Sequence, residues 1–380
     1  MIKISENTEN TLKKTKLFSF CLKNKAFTLI ELLVVIAIIG ILSGLVAIAM
    51  SGAVDSANDA KRKQAVNAIA KALTIYGTFN GSYPVSVNPC NVGSTCLTTE
   101  LTDNLGAVPL DPDGTYYQYF SNNGSNYTIF ASLSNGDIYA KGPVQDCPQG
   151  YIDSGHGFCV MQYEAKAGAV STPTGNPWVS IPQYSASVID AIEACSSLGS
   201  GYHLITNAEW TVLASDAKQQ PSNWNGSVMY RGHTDGSPNN ALSVSNTSNP
   251  YDQTGQTSGE QRRTLNLQNG NVIWDFSGNV WEWTNNTCTI GTGTGNWYNS
   301  GAWIDWTDSN LSDYERKTAG VGSSLTSSNG VGRYYGCTAN GNAFLRGGGW
   351  DSGSGAGAFA LTLTYSPSYT YTALGFRCAR

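Results

Sequence analysis

FTLIELLVVIAIIGILSGLVAIAM, residues 27–50, is an apolar run of 24 residues interrupted by one charge, Glu31. At about 1.5 Å per residue, a helix of this length crosses the roughly 30 Å hydrocarbon core of a bilayer. An ionisable side chain inside such a run costs about 2.5 kcal/mol or more, so Glu31 asks for a partner, and a free amine is the nearest chemistry. Upstream lie Lys3, Lys13, Lys14, Lys16, Lys23 and Lys25, a basic flank that orients the run with its C-terminal side outside. Ala47-Ile48-Ala49 has the small residues at which secretory peptidases cut. An ordinary signal peptide or plain anchor leaves Glu31 unexplained.

Downstream, Val66, Ile69, Leu73 and Tyr76 recur at helical spacing while Asp59, Lys61, Arg62 and Lys63 take other faces, so the helix is predicted to continue until Gly77, Gly81 and Pro84 end it. Residues 85–141 hold short alternating segments such as Tyr116–Phe120 and Tyr127–Leu133, with Asp111-Pro112-Asp113-Gly114 as a turn. Gly142 and Pro143 open a linker, 142–146, and a new pattern starts at Cys147 and runs to Arg380. There, a helix is expected over Ser185–Leu198, and Asn207 is expected to cap a second one reaching about Ala217. The remainder is turn-rich, with Trp and Tyr interspersed.

A chain of 380 residues exceeds one ordinary core. Charged residues are only 13%, against 42 Gly and 30 Tyr plus Trp, a composition of strands and turns outside the N-terminus. The net charge is −5, and −9 without residues 1–26, which carry six Lys and two Glu. Nothing there neutralises phosphates, so no nucleic-acid partner is expected. Eight of the nine cysteines lie beyond residue 26 with no CxxC pair, an even number that fits an exported, oxidised chain. Cys90 and Cys96 are spaced to close a small surface loop.

Lys25-Ala26-Phe27-Thr28-Leu29-Ile30-Glu31-Leu32 resembles the class III signal of type IV prepilins and pseudopilins, with Ala26 where the family usually has Gly. The resemblance implies that a prepilin peptidase removes residues 1–26 by cutting between Ala26 and Phe27, and that Phe27 is N-methylated. It also implies that Glu31 pairs with the N-terminal amine of a neighbouring pilin or pseudopilin subunit during assembly. Residues 27–141 would then be a pseudopilin-like domain, a long helix on a small antiparallel sheet with residues 27–50 in the membrane. The expected location is the inner membrane before assembly and the cell surface or a pilus afterwards, with the rest of the chain extracytoplasmic.

Three further segments are Gly201-Tyr202-His203-Leu204-Ile205-Thr206-Asn207-Ala208-Glu209-Trp210, Trp274-Asp275-Phe276-Ser277-Gly278-Asn279-Val280-Trp281-Glu282-Trp283, and Arg346-Gly347-Gly348-Gly349-Trp350 with Gly375-Phe376-Arg377-Cys378. Together they resemble the formylglycine-generating-enzyme/sulfatase-modifying domain, which implies a C-type-lectin-like fold for residues 147–380 and an α+β chain overall. By physical reading, Gly278 and Gly347–Gly349 allow backbone geometry that a Cβ would block, and Trp281, Trp283 and Trp350 suit the core of a loop-heavy domain. The resemblance implies that Cys195 and Cys378 tie the fold's ends. Cys288 with Cys337 and Cys147 with Cys159 would complete the set, one of roughly a hundred arrangements open to eight cysteines.

The oxidase members of that family need two cysteines after the RGG-W signature, where thiolates bind copper, and residues 351–374 contain none. His156, His203 and His233 are widely spaced, and no nucleophile elbow is present. Catalysis is therefore not expected, and no cofactor is required. Asn279 and Glu282 carry oxygens that a structural calcium ion would take, as related domains suggest, or they are surface and capping groups.

In residues 346–380, Phe359, Leu361, Leu363 and Leu374 are placed to pack inward, and Thr362, Thr364, Tyr365, Tyr369 and Tyr371 to point outward. Tyr with Ser and Gly is a binding-surface composition. The ending resembles the variable region of diversity-generating-retroelement target proteins, in which adenines of Asn codons are mutated on a fixed scaffold. Gly349, Asp351, Ser352, Gly355, Thr362, Thr364, Tyr365, Tyr369, Tyr371 and Ala373 all belong to the residue set such mutagenesis yields. Residues 1–342 hold 33 Asn and residues 343–380 none, as diversification would produce. The expected partner at these positions is a variable external ligand, a protein or a cell surface. The alternatives are a sulfatase-modifying enzyme with an atypical site and an invariant pilus adhesin or minor pseudopilin.

Overall fold

The computed structural model describes residues 29–291, 295–322 and 324–380, with the backbone alone over 42–51. The processing positions Ala26 and Phe27 lie outside the described residues. Helix α1 (Leu29–Asn80) carries Glu31 in its first turn, and Gly81 follows it at φ +73°, a left-handed stop that suits glycine. Among the described residues no helix is long and apolar enough to cross a membrane. The expected span 27–50 is described only in part.

The chain up to Val54 is one compact unit and Asp55–Arg380 is another. In the second unit, strands β1 (Ser86–Asn91), β2 (Gln118–Ser121), β3 (Thr128–Ser132) and β4 (Ile138–Lys141) form an antiparallel sheet in chain order. Of the apolar stripe predicted from spacing, Tyr76 is only half-buried, while Val66, Ile69 and Leu73 are fully buried in one cluster with Tyr117, Tyr119 and Ile129. Each such side chain contributes about 1.5–3 kcal/mol. Arg62, on another face of the helix than the apolar stripe, is nonetheless buried, gripping both carboxylate oxygens of Asp111 at 2.9–3.0 Å, and so ties the Asp111–Gly114 turn to α1. Helical spacing could not show this, because the partner lies 49 residues on.

Residues 151–380 build two further sheets of four or more strands. The larger has six strands in the spatial order Trp303–Ile304, Tyr334–Tyr335, Leu361–Thr362, Ala343–Arg346, Trp281–Thr287 and Leu374–Phe376. The other joins Tyr151–Asp153, Cys159–Met161, Cys378–Ala379 and His203–Leu204, so the first and last strands of this region share one sheet. Disulfides Cys147–Cys159, Cys195–Cys378 and Cys288–Cys337 staple it, and Cys90–Cys96 closes its loop beside β1. The helix Asn207–Lys218 is buried almost all round, with Trp210 stacked on Phe276 at 4.0 Å.

Two helix boundaries correct the expectations. The first helix covers only Ala191–Ser196, because Asp190 caps it by accepting from the Glu193 N–H, while Val188 and Ile189 before it are more than half exposed. The second is capped by Thr206, not Asn207, in a reciprocal box with Glu209. Residues 142–146 carry no helix or strand, yet the β1–β4 sheet is joined firmly to the C-terminal domain. The Ile138 N–H donates to Ser215 Oγ at 2.6 Å, Lys218 Nζ pairs with Asp137 at 2.5 Å, and His156 Nε2 lies 2.9 Å from Asp216. Asn122 Nδ2 meets both His203 Nε2 and Glu209 Oε1 at 2.9–3.0 Å.

Candidate functional site

The C-terminal loop between strands Leu361–Thr362 and Leu374–Phe376 hangs at both ends from the six-stranded sheet. Leu374–Phe376 runs parallel to Trp281–Thr287, pairing Trp281 with Leu374 and Trp283 with Phe376. The next residue, Arg377, is fully buried and holds both oxygens of the equally buried Glu282 at 2.5 and 2.6 Å. Phe359, Leu361, Leu363 and Leu374 all pack inward. At the loop's far side, the Ser180 N–H donates to the Tyr371 carbonyl, and the Gln183 and Tyr184 N–H groups donate to that of Pro367. The Ala343 N–H donates to the Tyr365 carbonyl at 2.9 Å. Backbone contacts on three sides therefore fix the loop and leave its side chains to face outward.

Those side chains form an aromatic face. Tyr365, Tyr369 and Tyr371 are 38–45% exposed, and the Tyr365 and Tyr369 rings stack at 4.5 Å and 16°. Partial burial first, then Tyr369, Tyr371 and the Asp351 carboxylate push the Tyr365 phenol above its usual value, against a hydrogen bond from Thr364. Tyr371 and Asp351 thus lie within electrostatic reach of the stacked Tyr365–Tyr369 pair. Gly349 brings in the rest: its N–H donates to Ser352 Oγ at 2.9 Å, and a Cβ there would lie 3.2 Å from Asp351 and from Trp281 and 3.4 Å from Ala373. Gly355 is half-buried and turns its carbonyl to the Arg333 N–H.

Not all ten predicted positions are surface. Asp351 and the tyrosines are exposed, Ser352 and Thr364 intermediate, and Gly349 and Ala373 buried. Thr362 corrects the outward reading: it is 2% exposed, with its hydroxyl 2.9 Å from that of Thr364. The reason is register. Trp303, Tyr335, Thr362, Leu345, Trp283 and Phe376 are successive cross-strand partners and share one face of the sheet, which is buried from Thr362 onward. At the open end of that row stands Trp303, 41% exposed, stacked on Trp281 at 5.8 Å and edge-on to Tyr335 at 5.3 Å. Sequence reading missed Trp303 and Tyr335, because each sits in a two-residue strand that offers no alternation to read.

The residues considered for metals and catalysis are engaged elsewhere. Glu282 is spent on Arg377, while Asn279 Oδ1 accepts from the Leu242 N–H and its Nδ2 donates to buried Glu164 at 2.6 Å. Among the described residues no group of three or more His, Cys, Asp or Glu is arranged for a metal. His203 bridges Gly201 O and Glu209, His156 rests on Asp216, and His233 Nε2 faces the carbonyls of Pro238 and Asn240. Every described cysteine is in a disulfide, so none is a thiolate ligand or nucleophile.

Comparison with known proteins divides the chain the same way. Residues 21–52 match the prokaryotic N-terminal methylation motif, and residues 149–380 match the sulfatase-modifying factor enzyme 1-like domain. A segment covering 26% of the chain is 34% identical over 110 residues to the type II secretion system core protein G of Pseudomonas aeruginosa, and spans 75% of that protein. Among solved structures, the Major Tropism Determinant P3c variant aligns at 15% identity and a TM-score of 0.30, over 70% of this chain and 63% of its own length, under two thirds. Treponema denticola variable protein 1 aligns at 14% identity and a TM-score of 0.32, over 68% of this chain and 97% of its own length.

Proposed function

We propose, for a chain that belongs through residues 149–380 to the sulfatase-modifying factor enzyme 1-like domain family and through its N-terminal part to the relatives of type II secretion system core protein G, that it is a surface-displayed ligand-binding protein. One observation carries this reading. Three exposed tyrosines and Thr364 stand on a loop whose backbone is fixed by its surroundings, with Tyr365 and Tyr369 stacked and exposed Asp351 within electrostatic reach of Tyr365, on a scaffold with every described cysteine oxidised. Tyrosine supplies rigid amphipathic area at low entropic cost, and Asp351 and Thr364 supply orientation, so affinity comes from aromatic burial. The methylation motif supports cleavage before Phe27, insertion in the inner membrane and assembly with other pilin or pseudopilin subunits, which carries the head to the surface.

The face is a target of codon diversification. The Asn-free tail beyond Asn342 and the residue types at the ten positions support this. Because their neighbours fix the backbone, substitutions at the exposed positions cost the fold little. Sequencing the locus tests it. A reverse transcriptase beside the gene, and a near-copy of the 346–380 coding segment differing at adenines, are expected, and their absence leaves a fixed adhesin.

Family membership favours one rival, an oxidase acting on sulfatases. Copper-dependent turnover of a cysteine-containing peptide by the purified protein would favour that rival. No turnover is expected, since residues 351–374 contain no cysteine and every described cysteine is closed in a disulfide.

A further inference from the structure

A cleft of about 730 Å³ opens between the β1–β4 sheet and the C-terminal domain, and no residue of the tyrosine face lines it. Its volume is that of a small-molecule site. Its lining includes the buried apolar side chains of Phe130, Ile138, Trp297 and Phe344 and the more accessible Tyr116 and Tyr314. The polar lining is mostly carboxamides and hydroxyls, among them Asn88, Gln118, Asn286 and Thr287, with Asp111, Asp113 and Lys317 as its charged members.

Several of these groups keep unused capacity. Gln118 Nε2 donates to Asn91 Oδ1 at 2.6 Å, which leaves Oε1 as an acceptor. Asn286 Oδ1 accepts from the Asn207 N–H at 2.7 Å, which leaves its NH₂ as a donor. Asn88 and Thr287 are exposed at the rim. The few charges are matched: Arg62 grips Asp111, and Lys317 Nζ lies 4.0 Å from Asp113.

We propose that this cleft binds a neutral oligosaccharide. Carboxamides present a donor and an acceptor side by side, which suits adjacent sugar hydroxyls, and the flat rings of Tyr116 and Tyr314 suit the C–H faces of pyranoses. An ionic ligand would enter a site whose charges are already paired, and an aliphatic one would strand its polar lining. The site is independent of the tyrosine face, and neither reading rests on the other.

The full-length protein in detergent micelles, titrated calorimetrically with neutral tetrasaccharides of glucose, galactose, mannose and N-acetylglucosamine, tests the proposal. At least one is expected to bind saturably, with an affinity unchanged between about 0.05 and about 0.5 M salt. The double variant Asn88→Ala, Tyr116→Ala changes two exposed side chains and is expected to weaken binding by about tenfold or more, while Tyr369→Ala leaves it unchanged. Failure of all four sugars to bind, undiminished binding by the double variant, or tighter binding of a uronic-acid tetrasaccharide or of an uncharged peptide of similar length would overturn it.

Discussion

Tyr365 and Arg377 stand 12 positions apart in one short segment and do opposite work. Tyr365 is stacked on Tyr369 but 38% exposed, so Tyr365→Ala should cost only the pair's contribution, about 0.5–1.5 kcal/mol. Arg377 is buried against Glu282, and Arg377→Ala strands a carboxylate in the core, at about 3–5 kcal/mol. Urea denaturation of the two variants should separate them by at least about 1.5 kcal/mol. Equal losses would mean that the tyrosine is structural. The exposed tyrosines were legible in the sequence, because small polar neighbours and inward-packing Phe359, Leu361 and Leu363 set their side. Thr362 was not, since its burial is decided by Tyr335 and Leu345 across the sheet. The burial of Arg62 was not legible for the same reason, its partner Asp111 being distant in sequence.

At the scale of elements, the joint between the β1–β4 sheet and helix Asn207–Lys218 holds a titrating pair. Burial pushes the His203 ring down, but the Glu209 carboxylate and the Gly201 carbonyl outweigh it and hold its pKa above the usual 6.5. Burial pushes Glu209 up, and His203 and Thr206 outweigh that, leaving it below the usual 4.5. A raised histidine stabilises fully below its unfolded value and loses that contribution as pH climbs through the folded one. A lowered carboxylate stabilises fully above its unfolded value and loses it as pH falls through the folded one. The pair therefore contributes most between pH 4.5 and 6.5. Tm should fall from about pH 5.5 to about pH 9, and His203→Gln should reduce that fall. An unchanged slope in the variant would exclude the pair as its source. The motif Gly201–Trp210 announced this element, but the sequence offered no sign that Asn122, 81 residues earlier, completes it.

For the whole molecule, the head does not swing freely from the sheet on α1. Residues Asp55–Arg380 form one unit, joined by the Ile138–Ser215, Lys218–Asp137 and His156–Asp216 contacts, although Gly142 and Pro143 read as a linker. Calorimetry of the protein should show one cooperative transition for this unit, and two would contradict a shared core. Such a body holds the C-type-lectin-like head in a fixed orientation beside the pilin-like sheet. The measurement that bears most directly on this account is codon-resolved sequencing of the 343–380 segment across a population grown from one cell. Substitutions confined to the codons of Gly349 through Ala373 that face outward, Tyr365, Tyr369 and Tyr371 foremost, with Arg346, Phe376 and Cys378 constant, are the predicted result. An invariant segment, or changes scattered equally over scaffold and face, would contradict it.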